Sequence, residues 1–259
     1  MRLDALTGLS TGQRAELHRL VAELLGDRVT AKPGGRPSAL SFEGSMDLVC
    51  CLLRTNLTQH QVAAIYRVSQ ATTSRRWDLL RDPIARALAI VVPTVRQVVG
   101  RFGSVLVDGF LAPTWDWKNA TGMFSAKHDQ AGFNIQVATA VRGTLAAVGD
   151  PVPGARHDAH AYHASGLADL LANHDTLGDK GYQGHTTIHP IRKPPGTDQS
   201  AHDKRFNHSV SSIRSAVERA NSHLQNWRIL ATPFRPPLSK FPATLRAVVG
   251  LYFLKWAYE

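Results

Sequence analysis

The sequence predicts an α/β region preceded by an all-α region that carries a helix-turn-helix. A change of hydrophobic period carries this prediction. Up to about residue 98 apolar residues recur at helical spacing, and from residue 104 the period shortens to that of strands. The 259 residues leave room for two domains. We place them at 1–98 and 99–259, with the boundary near Pro93–Gly103. The third observation is charge. Thirty basic and 20 acidic residues give a net charge of +10, which points to a polyanionic partner, nucleic acid before membrane.

The elements follow in order. Leu17, Leu20, Val21, Leu24 and Leu25 mark a helix over residues 12–25. Residues 30–41 are rich in Pro, Gly and Ser and read as a connector. A second helix covers Phe42–Arg54. The adjacent Cys50 and Cys51 on it are expected to be small buried side chains, since neighbouring cysteines form neither an ordinary disulfide nor a zinc site. Thr58 and Gln61 form a capping-box pattern that opens a short helix. A turn at Arg67-Val68 and a cap at Ser69 lead into a helix over Gln70–Leu80. The whole unit spans about residues 57–80. In a helix-turn-helix the second helix enters the major groove, which makes Thr72, Thr73, Ser74, Arg75 and Arg76 candidate DNA contacts. The alternative is a plain helical hairpin with a polar outer face.

Beyond residue 104, Ser104–Leu111 reads as a buried strand ending near Asp108-Gly109. Phe133–Ala140 alternates as a strand does, and Thr144–Val148 pairs with it. His157–Ala172 reads as one helix. Thr176–Gly178 is a short strand leading into Asp179, and residues 190–206 form a loop. Ser209–Trp227 is a long helix with Ile213, Val217, Ala220 and Leu224 on one face. Pro242–Trp256 is an apolar helix expected to dock on the sheet.

Three acids need a reason for their positions. Asp108 sits in an apolar strand, where a lone carboxylate is costly to bury. Asp179 follows a second strand inside the Gly-rich Leu177–Gly184 segment. Glu218 is the only acid between Asp203 and Glu259. Together they make a hard oxygen donor set of the kind that selects Mg²⁺ or Mn²⁺, and two such ions would serve in-line attack at phosphorus. His157-Asp158, with His160 and His163, is a rival constellation, in which Asp158 is placed to cap a helix. Residues 190–259 hold 11 basic and 4 acidic residues. Arg192, Lys193, Lys204, Arg205, Arg214, Arg219 and Arg228 could form a phosphate track around Glu218. No Walker loop, dinucleotide fingerprint or Ser/Cys nucleophile motif is present. The N-terminus lacks a signal-peptide core, and no apolar run approaches the roughly 18–20 residues of a membrane span. The expectation is a cytoplasmic, nucleoid-associated protein without membrane contact.

Several short segments, in order, resemble a DDE-type transposase of the fifth family of bacterial insertion sequences and its Harbinger-like relatives. They are Val107-Asp108-Gly109, Phe124–His128, Phe133–Val137, Pro153–Asp158, Gly178–Gly184, and Val217-Glu218-Arg219 through Trp227–Leu230. Asp108 and Asp179 are 71 positions apart, and Asp179 and Glu218 are 39 apart. The resemblance implies an RNase H-like catalytic domain behind the helix-turn-helix. It implies that Asp108, Asp179 and Glu218 are a catalytic triad holding two Mg²⁺ or Mn²⁺ ions. The implied activity is cleavage of transposon-end phosphodiester bonds and strand transfer into target DNA. His157, Asp158 and Arg214 would be auxiliary residues. Lys127, Lys180, Arg219 and Arg228 join the DNA contacts. Double-stranded DNA is the expected partner, with a homo-oligomer in the active complex. Phe110 and Gln225 depart from the family pattern. The alternatives are an inactive or host-adopted DNA-binding protein and an endonuclease without strand transfer.

Overall fold

The protein is described by a computed structural model covering residues 3–26, 38–115, 120–193, 196 and 198–257, without the side chains of Phe102, Arg214 and Ser215. It divides into two compact units, Met1–Val92 with Leu224–Glu259, and Pro93–His223. The expected connector at 30–41 lies outside the described residues except for 38–41.

The first unit opens with α1 (Leu3–Thr7), α2 (Thr11–Leu25) and α3 (Phe42–Thr55). A capping box of Ser10 and Gln13 starts α2, and Ser41 caps α3 by accepting from the Gly44 N–H. Leu17, Leu20 and Val21 of α2 and the run Ser45–Leu53 of α3 are buried, including Cys50 and Cys51. Burial pushes both thiols up from their ordinary pKa. Then come α4 (Gln59–Tyr66) and α5 (Gln70–Ala87). Thr58 and Gln61 form a complete capping box on α4. Arg67 takes a left-handed conformation at φ 54°, and the Ser69 hydroxyl caps α5. The second helix does not stop at Leu80 but runs through Pro83 to Ala87. A 3-10 turn, Leu88–Val91, follows.

The second unit begins with α6 (Val95–Phe102) and is built on a sheet. Its strands are β1 (Val105–Pro113), β2 (Phe124–Ser125), β3 (Gln130–Ala140), β4 (Leu145–Val148), β5 (Val152–Pro153) and β6 (Thr176–Leu177). β3 is antiparallel to β1, β2, β4 and β5, while β6 lies parallel to β1 on its other side. A return to parallel pairing needs a crossover, and helices supply it. They are α7 (Asp158–Ala164) and α8 (Leu167–Leu171), not the single helix expected over 157–172. Gly166 at φ 74° separates them. The strand expected to end near Asp108 continues to Pro113, so Asp108 stands mid-strand. The long helix α9 runs Ala201–Gln225, starting inside the segment expected to be a loop.

Alternation sorts the side chains of β1 onto two faces. Val105 and Val107 pack with Tyr162, Leu167, Leu171 and Tyr182. Leu106 packs with Leu177 and with Val210, Ala216 and Val217 of α9. The sheet is therefore a layer between α7–α8 and α9.

After α9 the chain returns to the first unit through α10 (Arg228–Ala231) and α11 (Phe241–Ala257). The apolar α11 does not dock on the sheet. It packs against α5, the 3-10 turn and α2. At the crossing, a Cβ on Gly250 would stand 2.5 Å from Leu88 Cβ. By length and composition, a window within Gln70–Arg101 is apolar enough to cross a membrane, contrary to the expectation of no such run. It is divided among α5, the 3-10 turn and α6, with Ile84, Ala87 and Leu88 buried in the first unit's core.

Candidate active site and nucleic-acid interface

Asp108 lies on an interior strand of the sheet. β1 pairs with β3 on one edge and β6 on the other. In the parallel pair, Leu106 stands opposite Leu177. Asp108 and Asp179 are each two residues further on, so the parallel pairing sets the two carboxylates side by side where β6 ends. Both are half-buried. Asp179 Oδ1 accepts from the Gly181 N–H at 2.7 Å and caps the 3-10 turn Lys180–Tyr182.

Asp108 shares a face of β1 with Leu106, the face covered by α9. There Asn221 donates from Nδ2 to Asp108 Oδ2 at 3.2 Å. Glu218 precedes Asn221 by three residues, so the two are neighbours on one side of the helix. Glu218 is exposed while Asn221 is buried. The sheet thus brings Asp108 and Asp179 close together, and α9 carries Glu218 one turn from the Asn221 that bonds Asp108. Among the described residues, no three His, Cys, Asp or Glu side chains are gathered into a metal cage. The donor set nevertheless suits a hard cation. All three acids offer carboxylate oxygens, and Asn221 Oδ1, beside Asp108, is buried with no hydrogen-bond partner.

The opposite face of β1 holds a hydrogen-bonded chain that the sequence reading did not find. Tyr182 donates to Gln136 Oε1 at 2.7 Å, Gln136 Nε2 to Asn134 Oδ1 at 2.8 Å, and Asn134 Nδ2 to Asp158 Oδ1 at 2.9 Å. Lys127 closes it with an ion pair to Asp158 Oδ2 at 3.1 Å. Tyr182, Gln136 and Asn134 are buried. The Tyr182 hydroxyl is pushed well above its ordinary pKa, first by burial, then by Asp158 and Asp108 and also by Asp179. It therefore remains a donor, and all three aspartates act on it. Asp158 does not cap α7. His157 occupies the N-cap position without a side-chain cap bond, and Asp158 turns to Asn134 and Lys127. His163 does not join a box with His160. It pairs with His185, Nε2 to Nδ1 at 2.9 Å.

Lys127, Asn134, Arg156, His157 and Asp158 line a cavity of about 110 Å³ beside Gly109 and Phe110. Lys180, Arg219 and Arg228 are exposed. The Arg214 side chain lies outside the described residues.

In the first unit, Thr72 and Ser74 are half-exposed, Arg75 is exposed and bonds Thr72, and Arg76 donates to Ser38 Oγ. Thr73 corrects the expected set of DNA contacts. It is fully buried with its hydroxyl turned to the Ser69 carbonyl, so it packs inside the unit.

Comparison with known proteins supplies the family. Residues 107–252 match the model of the DDE superfamily endonuclease. The chain is 30% identical over 226 residues to a protein of Streptomyces albus G named as the transposase of insertion sequence element IS112, covering 86% of this chain and 83% of the relative. It is 24% identical over 232 residues to one of Microchaete diplosiphon named for insertion sequence element IS702, covering 85% and 83%. No solved structure matches. The chain belongs to the DDE superfamily endonucleases, among the transposases of insertion sequences.

Proposed function

We propose that the protein is a DNA transposase that cleaves phosphodiester bonds at transposon ends and joins them to target DNA. In this reading Asp108, Asp179 and Glu218 are the catalytic carboxylates of an RNase H-like domain, and α4–α5 form a helix-turn-helix that reads duplex DNA. The observation that supports it most is the neighbouring placement of Asp108 and Asp179 on β1 and just beyond β6, with the helix of Glu218 bonded to Asp108. The β1–β6 register sets Asp108 and Asp179 side by side, and Asn221 fastens the Glu218 helix to Asp108.

Asp108, Asp179 and Glu218 would hold one or two Mg²⁺ or Mn²⁺ ions. Such an ion would supply charge neutralisation at the phosphate and an activated water or 3′-hydroxyl. The chain's own part is positioning, from which most of the rate in phosphoryl transfer derives. Asn221 holds one oxygen of Asp108 and so fixes the carboxylate plane. The Gly181 N–H does the same for Asp179. Lys127, Lys180 and Arg219 are exposed cations suited to phosphate contacts, and His157 and Asp158 border the cavity next to β1. The activity would operate in the cytoplasm at the nucleoid.

The test mixes purified protein with labelled duplex from the ends of its own element, with Mg²⁺ or Mn²⁺, beside Asp179→Asn. Metal-dependent nicking at the element end is expected, reduced roughly 100-fold or more in the variant. A joined product with a target duplex is expected as well. Unchanged cleavage by Asp179→Asn would remove the catalytic assignment. Cleavage without joining would leave an endonuclease.

A further inference from the structure

A groove in the first unit is left over by the catalytic reading. Its volume is about 480 Å³. One wall is the start of α4, with Gln59 and His60. The floor includes Gln70 and Trp77 of α5. The other wall comes from beyond the catalytic region, with Arg235 and Lys240. The DNA-binding region expected over residues 1–98 does not include this segment.

The wall is anchored. Arg235 Nη1 donates to the Asn56 carbonyl at 2.7 Å, and Asn56 Nδ2 donates to Thr232 Oγ1 at 2.7 Å and to the Pro233 carbonyl at 3.2 Å. Asn56 is the left-handed C-cap of α3, φ 49°, so the segment is tied to the turn that launches α4. Arg235 is exposed, and its other N–H groups have no partner among the described residues. Gln59 and His60 are the first two residues of α4, where backbone N–H groups have no intrahelical acceptor. Trp77 is 3% exposed, and its indole N–H is buried without a partner. Lys240 is engaged by Asp78, so it adds no net charge. A permanent cation and two open helix amides beside one groove fit an anion, and the unspent Trp77 indole donor lies beneath the same groove.

We infer that this groove seats a backbone phosphate of duplex DNA, and that Arg235, from the C-terminal segment, is its cation. The inference rests on the helix-turn-helix reading, because α5 supplies one side of the groove. It makes the DNA-binding surface discontinuous in sequence. The reading helix comes from residues 70–87 and a phosphate clamp from residue 235.

The test titrates the full-length chain with a labelled 30-base-pair duplex by fluorescence anisotropy over a range of salt. Arg235→Ala is compared with Arg235→Lys, His60→Glu, the pair Arg75→Ala/Arg76→Ala, and Arg19→Ala as a control on the outer face of α2. Arg235→Ala is expected to weaken binding about fivefold and to reduce the slope of log K against log salt by about 0.9, the value for one phosphate contact. Arg235→Lys should restore most of the slope. His60→Glu leaves the anchored segment intact and should weaken binding by charge alone, and Arg19→Ala should change nothing. A thermal melt of each variant separates lost contact from lost fold. An unchanged slope in Arg235→Ala and unchanged binding in His60→Glu, with Arg75→Ala/Arg76→Ala still weakened, would overturn the clamp and leave the helix-turn-helix standing. No effect from any of these variants would overturn both.

Discussion

Gly109 lacks a side chain because Gln136 occupies the space. A Cβ there would stand 2.5 Å from Gln136 Nε2 and 3.2 Å from both Asn134 Oδ1 and Asp158 Oδ1. The glycine beside Asp108 therefore lets a buried polar chain cross under β1. Gly109→Ala is expected to push that chain apart and lower stability by about 1–3 kcal/mol, the range for overpacking a well-filled core. Tyr182→Phe leaves Gln136 Oε1 buried without its donor, which costs about 1–3 kcal/mol. Both changes strike one chain, so their sum should exceed the double variant, as a double-mutant cycle by denaturant unfolding would show. Additive effects would mean that the chain is not a unit. The Asp-Gly pair was legible in the sequence, but the reason for its glycine was not. That reason lies in the register Gly109↔Gln136 and Leu111↔Asn134, which pairs residues about 25 positions apart. The cap expected of Asp158 failed for the same cause. Its place next to His157 suggested a local cap, whereas its partners come from β3 and the Phe124–His128 segment.

At the scale of elements, local signals were read well and tertiary overrides were not. Capping residues fixed the starts of α4 and α5, since Thr58, Gln61 and Ser69 satisfy amides within three residues of themselves. Helix ends were harder. α5 passes Pro83, a residue that ordinarily stops a helix. Ile84, Ala85, Ala87 and Leu88 beyond it are buried, with α11 against them, and that burial favours continuation. The 157–172 segment errs the other way, because Gly166 adopts a left-handed conformation inside an apolar pattern. Ser69→Ala tests the value of a cap directly. It should destabilise the protein by about 1 kcal/mol. On the proposed function it should also weaken DNA binding, because the first turn of the reading helix frays. Thermal melts and binding isotherms of one preparation check both, and a lower melting temperature with unchanged affinity would argue against α5 as the reading helix.

The whole molecule does not follow the order of its sequence. Read linearly, the last 36 residues extend a catalytic region, and a C-terminal deletion would be expected to spare the helices before residue 92. The structure groups Leu224–Glu259 with Met1–Val92 instead. Composition could not reveal this, because α11 is mostly apolar and suits a sheet or a helix bundle equally. Its partner is decided by shape, in the close crossing at Gly250 and Leu88. Phe241, Leu245, Val248, Leu251 and Leu254 are all buried on α11. Removing five such side chains forfeits about 1.5–3 kcal/mol each, comparable to the whole stability of a domain. A chain ending at His223 keeps every residue of α4 and α5 and all three candidate catalytic acids. It is nevertheless expected to lose ordered helical structure in its first 92 residues and to lose salt-dependent DNA binding with it. Amide hydrogen exchange of the truncated chain checks this. Collapse of protection in α3 and α5, with protection retained in β1 and β3, is the expected result. Retained protection in α5 would show that the N-terminal helices fold without their C-terminal partner, and the discontinuous unit would then be two.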